Sequence, residues 1–209
     1  MNMLSQDELK TLFETTLYFL ALLNPASKIL FLSARQPALT NKELSHIAWR
    51  ATMFAFGILL VFCICGNFLM VHVFRVELYA LKLAGGLVLL LTGLNAVQKG
   101  IFYNQDANKI VSDDELSVVP LAAPLIAGPG TIAITVSYSL EYGVGRTLFS
   151  LAVALLINTG CMLAAKAIAR ILDAMVMIGP LIRLTGLIIM AVAMQMMLSG
   201  ASEWLQTTP

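Results

Sequence analysis

Apolar residues fall along this chain in long blocks separated by short polar breaks. Six blocks stand out, at about 11–33, 48–73, 80–99, 117–139, 147–170 and 181–200. Each approaches or exceeds the ~20 residues that a helix needs to cross a hydrocarbon core about 30 Å thick. Stretches 51–74 and 147–165 carry no Asp, Glu, Lys or Arg at all. The pattern predicts an all-α, polytopic membrane protein with six transmembrane helices. Glu14, inside the first block, is expected near the headgroups. The one long polar connection, YNQDANKIVSDDEL at 103–116, reads as a linker between two halves. It divides a single transmembrane domain into repeat one, about 8–100, a linker, about 101–116, and repeat two, about 117–203.

Composition agrees with the pattern. Of 209 residues 59% are hydrophobic and 12% charged, and the mean hydropathy is +0.85. Soluble domains carry about 25% charged residues. A net charge of +1 gives no reason to expect a nucleic-acid partner. Cys63, Cys65 and Cys161 lie in apolar blocks and are expected to be small packing residues, without the ligand count of a zinc site. His46 and His72 flank a span and are read as interfacial. The polar, partly acidic start MNMLSQDELK does not resemble a signal peptide. No zinc-protease helix, nucleophile elbow or phosphate loop is present, and no carboxylate sits mid-span, so neither an enzyme nor a buried-acid proton relay is expected.

Six spans place both termini on one side. The first, third and fifth connections hold eight cationic residues (Arg35, Lys42, Arg50, Lys99, Lys109, Lys166, Arg170 and Arg183). The opposite side holds four (Lys10, Arg75, Lys82 and Arg146). Lys and Arg accumulate on the cytoplasmic side. Both termini are therefore expected on the outer, periplasmic side of a plasma (inner) membrane.

The halves resemble each other. ALLNPAS at 21–27 aligns with LIAGPGT at 125–131, setting Pro25 on Pro129 and Ser27 on Thr131. RATMFAFGILLVFCIC at 50–65 aligns with RTLFSLAVALLINTGC at 146–161, and LKLAGG at 81–86 with IRLTGL at 182–187. Any one block could match by chance between apolar sequences; three in the same order favour a true repeat. Three spans per half is an odd number, so the second half would be inverted in the membrane. That is the 3+3 plan of many transporters, with the site at the repeat interface.

Helix breakers occupy matching places in the first and fourth spans. Asn24-Pro25 interrupts one and Gly128-Pro129-Gly130 the other. Proline costs about 3 kcal/mol or more inside a helix, and glycine up to about 1 kcal/mol. Simple proline kinks explain either break alone, whereas the matched pair points to a transport site. A half-helix that begins at a break presents N–H groups suited to a carboxylate, and one that ends there presents carbonyls suited to an ammonium group or sodium. Ser27, Thr131 and Asn24 add neutral donors and acceptors. The expected ligand is a small zwitterionic solute such as an amino acid, with sodium held by the same oxygens and no other cofactor. Lys28 leaves two readings open: a lysine that snorkels to the cytoplasmic surface, or a functional charge beside the break. Pro120, Pro124, Asn95 and Asn158 are further candidates. Asn95 and Asn158, with Asn67 and Gln195, line a water path or bond neighbouring helices.

At these residues the chain resembles the MarC family (UPF0056) of integral inner-membrane proteins. Asn24-Pro25 matches the family's first-span motif, and PLAAPLIAGPG from Pro120 to Gly130 matches its second-half motif without a gap. Ser27, Lys28 and Leu30 stand where the family often has Gly, Asn and a second Pro. The family is similar to the lysine-exporter group, and the resemblance implies six spans and, for some members, ion-coupled carriage of small neutral amino acids such as glycine and alanine. The resulting expectation is an alternating-access transporter of a small neutral amino acid, lodged in a lipid bilayer, with a homo-oligomer left open. The alternative is a non-transporting membrane protein acting as a structural or stress-related partner.

Overall fold

The computed structural model describes residues 6–33, 39–100, 121–122, 125–174 and 177–207, which are helical apart from short connections. Helix α1 (Gln6–Leu23) opens with Asp7 and Glu8 in its first turn, where acidic side chains suit the helix dipole. It stops at Asn24, and α2 (Pro25–Ser33) resumes at once. Helix α3 (Asn41–Phe68) starts on a capping box. The Glu43 N–H donates to the Thr40 hydroxyl at 3.2 Å, and the Thr40 N–H donates back to the Glu43 carboxylate at 2.5 Å. Its end widens into a π-helical turn, Leu69–Phe74, and Arg75 turns the chain with φ 54°. Helix α4 (Leu78–Lys99) ends on Gly100 at φ 68°. Then come α5 (Pro129–Glu141), α6 (Val144–Leu163), the short α7 (Ala165–Ala174) and α8 (Ile178–Thr207).

Five stretches among the described residues are long and apolar enough to cross a membrane: Gln6–Ser33 across its break, Asn41–Val73, Leu78–Lys99, Val144–Leu163 and Ile178–Thr207. The fourth apolar block does not qualify on its described part, because α5 has only 13 residues. The linker, with Pro120 and Pro124, lies outside the described residues. The fifth block, expected to run to 170, ends at Leu163. Ala164 takes φ −84° and ψ 2°, and α7 leaves as a separate amphipathic helix. It buries Ala165 and Ala169 against α2, while the Lys166 ammonium donates to the Asn41 side-chain oxygen at 3.2 Å.

The most extensive pairing joins α4 to α8. Lipid tails are as apolar as leucine, so helices in a membrane associate through close packing rather than hydrophobic burial, and small residues let backbones approach. Gly93 and Gly186 face one another across this seam. A Cβ on Gly93 would stand 2.7 Å from the Gly186 carbonyl oxygen, and one on Gly186 3.0 Å from that of Gly93. An ion pair between Lys82 and Glu203 closes one end.

Helix α6 packs against α1 and α3, and α5 sits between α3 and α4. Two buried hydroxyl pairs tie α6 in place: Thr15–Ser150 at 2.8 Å to α1, and Thr52–Thr159 at 2.6 Å to α3. Such bonds contribute about 0.6 kcal/mol each in a bilayer. Arg146 pairs with Glu8 across the start of α6 and α1. Phe13, Ile64, Leu184 and Leu198 point outward, as suits a lipid-facing surface.

Gly93→Ala should destabilise the protein by about 1–3 kcal/mol, the usual cost of overpacking. The added methyl meets a backbone carbonyl that cannot rotate away. Gly57→Ala, whose methyl meets nothing within 4 Å, should be neutral or mildly stabilising. Thermal unfolding of both variants in detergent checks the contrast.

Candidate functional site

Both helix breaks open onto one cavity of about 90 Å³. The first break contributes Leu22, Asn24, Ser27 and Lys28, and the second Leu125, Gly128, Pro129, Gly130 and Thr131. Helix α4 adds Val88, Leu89 and Thr92, and α8 adds Ile189. A water occupies about 30 Å³ of liquid, so the space suits a solute of roughly three waters' bulk.

The first break is built on Asn24, whose φ of 47° lies in the left-handed region. Asparagine tolerates that conformation better than other residues with a Cβ. Its N–H still closes α1 on the Leu20 carbonyl at 2.9 Å. Pro25 then starts α2 without an N–H. In a continuous helix the Ser27 N–H would bond the Leu23 carbonyl. Here it bonds the Asn24 carbonyl instead, at 3.1 Å, and the Ser27 hydroxyl donates to the same oxygen at 2.8 Å. The Leu23 carbonyl is left to the Lys28 ammonium, which curls back across the break and donates to it. Lys28 is 2% exposed. It therefore does not snorkel: burial against α1 and α2 holds its charge beside the break.

The second break is made differently. Ahead of it the chain is wound in π-type turns around Leu121–Ala122 and Leu125–Ile126, and the Ala127 N–H reaches back to the Ala122 carbonyl at 2.8 Å. Gly128 caps α5 in an extended conformation, and Pro129 holds the first helical position. A first helical turn leaves its N–H groups without helical partners. Since Pro129 has none, the free donors belong to Gly130 and Thr131, and no side chain caps them. The Thr131 carbonyl accepts the Thr135 hydroxyl at 2.7 Å. A Cβ on Gly130 would collide with the Leu89 side chain, so glycine there allows α4 to close the cavity wall.

The cavity thus gathers Asn24, Ser27, Lys28, Gly128, Pro129, Gly130 and Thr131. Pro25 shapes the break without lining the space. Asn95 lies on the exposed face of α4. Asn158 is fully buried in α6 with its amide on the Met162 sulfur at 3.4 Å and its side-chain oxygen unpaired; neither lines the cavity. Sequence reasoning missed the wall from α4 and α8. Its trace was the run of small residues at Gly85, Gly86 and Gly93, which carry α4 close enough for Leu89 and Thr92 to reach the breaks. A Cβ on Gly85 would stand 3.1 Å from the Pro129 carbonyl. Among the described residues no group of His, Cys, Asp and Glu could hold a metal ion.

Fold and site together define a multi-pass integral membrane protein whose interrupted helices share one largely apolar cavity that holds a few polar groups. The pattern of the MarC family integral membrane proteins matches residues 9–205, and the chain belongs to that family. A UPF0056 membrane protein of Pyrococcus horikoshii is 31% identical over 195 residues, covering 92% of this chain and 94% of its own. Another, from Methanocaldococcus jannaschii, is 30% identical over 186 residues, covering 86% and 90%. The UPF0056 membrane protein YvbG of Bacillus subtilis is 30% identical over 132 residues, covering 60% and 62%. No solved structure matches the chain.

Asn24→Ala should be less stable than Asn24→Gly by about 1–2 kcal/mol, because only the glycine relieves the left-handed strain. Unfolding midpoints of the two variants measure the gap directly, and equal midpoints would show the break is not held in that conformation.

Proposed function

We propose that this protein is a transporter of a small solute, most readily a small neutral amino acid of the glycine or alanine type. It works by ion-coupled alternating access in a lipid bilayer. The observation that carries this reading is the meeting of two interrupted helices at one chamber of about 90 Å³. Unwound backbone inside a membrane persists where protein, water or a bound solute satisfies it. Discontinuous helices at corresponding places in two halves are the commonest sequence pointer to a transport site. The chamber's size favours a glycine-like cargo over a bulky one. Gly130 and Thr131 supply N–H donors for a carboxylate, and Asn24, Ser27 and Thr92 supply oxygens for an amino group.

The mechanism is a 3+3 inverted repeat. The first repeat holds α1/α2, α3 and α4; the second holds the turns from 121 with α5, then α6 and α8. Helix pairing supports this. Exchanging each element for its counterpart turns the α2–α6 contact into α5–α3, and the α4–α5 contact into α8–α2, while α4–α8 and α3–α6 map onto themselves; all of these contacts are present. The proposed placement is the inner membrane with both termini outside, supported by the Lys and Arg bias. Glu8 with Arg146, and Lys82 with Glu203, sit on the terminal side in that arrangement, and Asn41 with Lys166 on the other.

Two measurements test these statements. Proteoliposomes holding the purified chain should take up labelled glycine or alanine under imposed sodium and proton gradients. Gly130→Val, whose side chain drives into Leu89 and the chamber, should lower uptake about tenfold or more, a loss of at least ~1.4 kcal/mol, while circular dichroism stays helical. No uptake of any amino acid by the parent would favour a structural or stress-related partner role instead. For orientation, Ser202→Cys in a chain with its three cysteines replaced by alanine should react with a membrane-impermeant maleimide added outside intact cells.

A further inference from the structure

The described side chains lining the chamber carry charge of one sign only, while α1 ends at it with the partial negative charge of a helix C-terminus. Helices α2 and α5 both begin at it, and a helix N-terminus carries roughly half a positive charge. Lys28 lines the same space, is 2% exposed, and brings an amine that is cationic when protonated. No Asp or Glu is among the described residues lining it. Of the carbonyls at the end of α1, that of Leu23 is bonded by Lys28. A carbonyl at the end of a broken half-helix is the usual seat of a coupling sodium ion or of a solute's ammonium group.

We propose that Lys28 is a tethered cation: its ammonium stands at the first break where a coupling sodium ion would sit, so the chamber binds the carboxylate of its cargo without sodium. The proposal rests on the transporter reading for its cargo, but the charge pattern that motivates it does not. A sodium ion at the Leu23 carbonyl would have to displace the Lys28 amine that bonds it and would then stand beside that amine, in a setting with little water to screen the two. A carboxylate meets the reverse: the Lys28 charge on one side, the Gly130 and Thr131 N–H groups on the other. Lysine has three donors, and the Leu23 carbonyl uses one, which leaves two for the cargo. The amino group of a glycine-like solute then falls to Asn24, Ser27 and Thr92, away from Lys28.

The test uses the full-length chain in liposomes and in detergent. Uptake of labelled glycine or alanine by the parent, under a proton gradient, should change less than about twofold when sodium is replaced by choline. In detergent, acetate should raise the unfolding midpoint of the parent, whereas methylammonium and sodium chloride, compared with choline chloride, should not. Lys28→Gln should lose the acetate shift and lower uptake in choline about tenfold or more, the equivalent of ~1.4 kcal/mol, with partial recovery in sodium. Lys28→Arg should keep both parental properties. The parent arms need no substitution, so a Lys28→Gln chain that fails to fold leaves them decisive. A parent whose uptake collapses without sodium overturns the tethered-cation proposal and leaves the transporter reading standing. Acetate stabilisation of the parent, lost in Lys28→Gln, with no uptake under any gradient keeps the anion site and overturns transport. Neither uptake nor an acetate shift overturns both.

Discussion

Hydrocarbon offers no hydrogen bonds, so each peptide group inside it must find its partner within the protein. That constraint explains why most of this chain is continuous helix and why its two interruptions are built with such care. At the first, the Leu23 carbonyl loses its helical donor and Lys28 replaces it, while the Asn24 carbonyl takes both the backbone and the hydroxyl of Ser27. At the second, a π-type turn bonds Ala127 to Ala122, and Pro129 brings no N–H to the first helical position.

The glycine seam between α4 and α8 serves the same end from the other side. Without a hydrophobic drive between helices, the pair depends on close contact, and Gly93 against Gly186 provides it. Once α4 lies that close, Gly85 rests on the backbone at Pro129 and Leu89 fills the space over Gly130. The chamber wall is therefore a by-product of helix packing. Substitutions on the seam and at the break are coupled through α4, even though the Gly93–Gly186 contact is no part of the chamber lining.

Much of this was legible in the residues themselves. The six apolar blocks, the two breaks and their pairing needed only hydropathy and the positions of Pro25 and Pro129. The convergence of Asn24, Ser27, Gly128 and Thr131 followed from aligning the halves. Other features were not legible. The fifth block was carried past Leu163 because the apolar face of α7 continues the pattern, although Lys166 and Arg170 give that stretch the periodicity of a separate amphipathic helix; the turn at Ala164 divides the two. Leu89, Thr92 and Ile189 look like ordinary lipid-span residues, and nothing local marks which face of a helix a cavity will touch. Lys28 was ambiguous because a lysine one or two turns from Arg35 has the reach to snorkel. Its fate was decided by a long-range fact, the gathering of α4, α5 and α8 around the break that Lys28 lines.

The two breaks begin their second helices alike, with proline at the first position and a hydroxyl residue two places on, yet they end their first segments differently. One is sealed by a charged side chain and the other by the backbone. In an inverted repeat the two ends of the chamber face opposite sides of the membrane, so this difference is also a difference between inside and outside. If the breaks were identical, the two access states would be equal in energy by symmetry. With Lys28 on one break only, a ligand that pairs with its charge binds the two states unequally. A ligand shifts a conformational equilibrium only by such a difference in affinity. In the proposed cycle, a lysine at one break and not at the other would give the two access states unequal affinity for such a ligand, and so a preferred resting side that depends on what occupies the chamber.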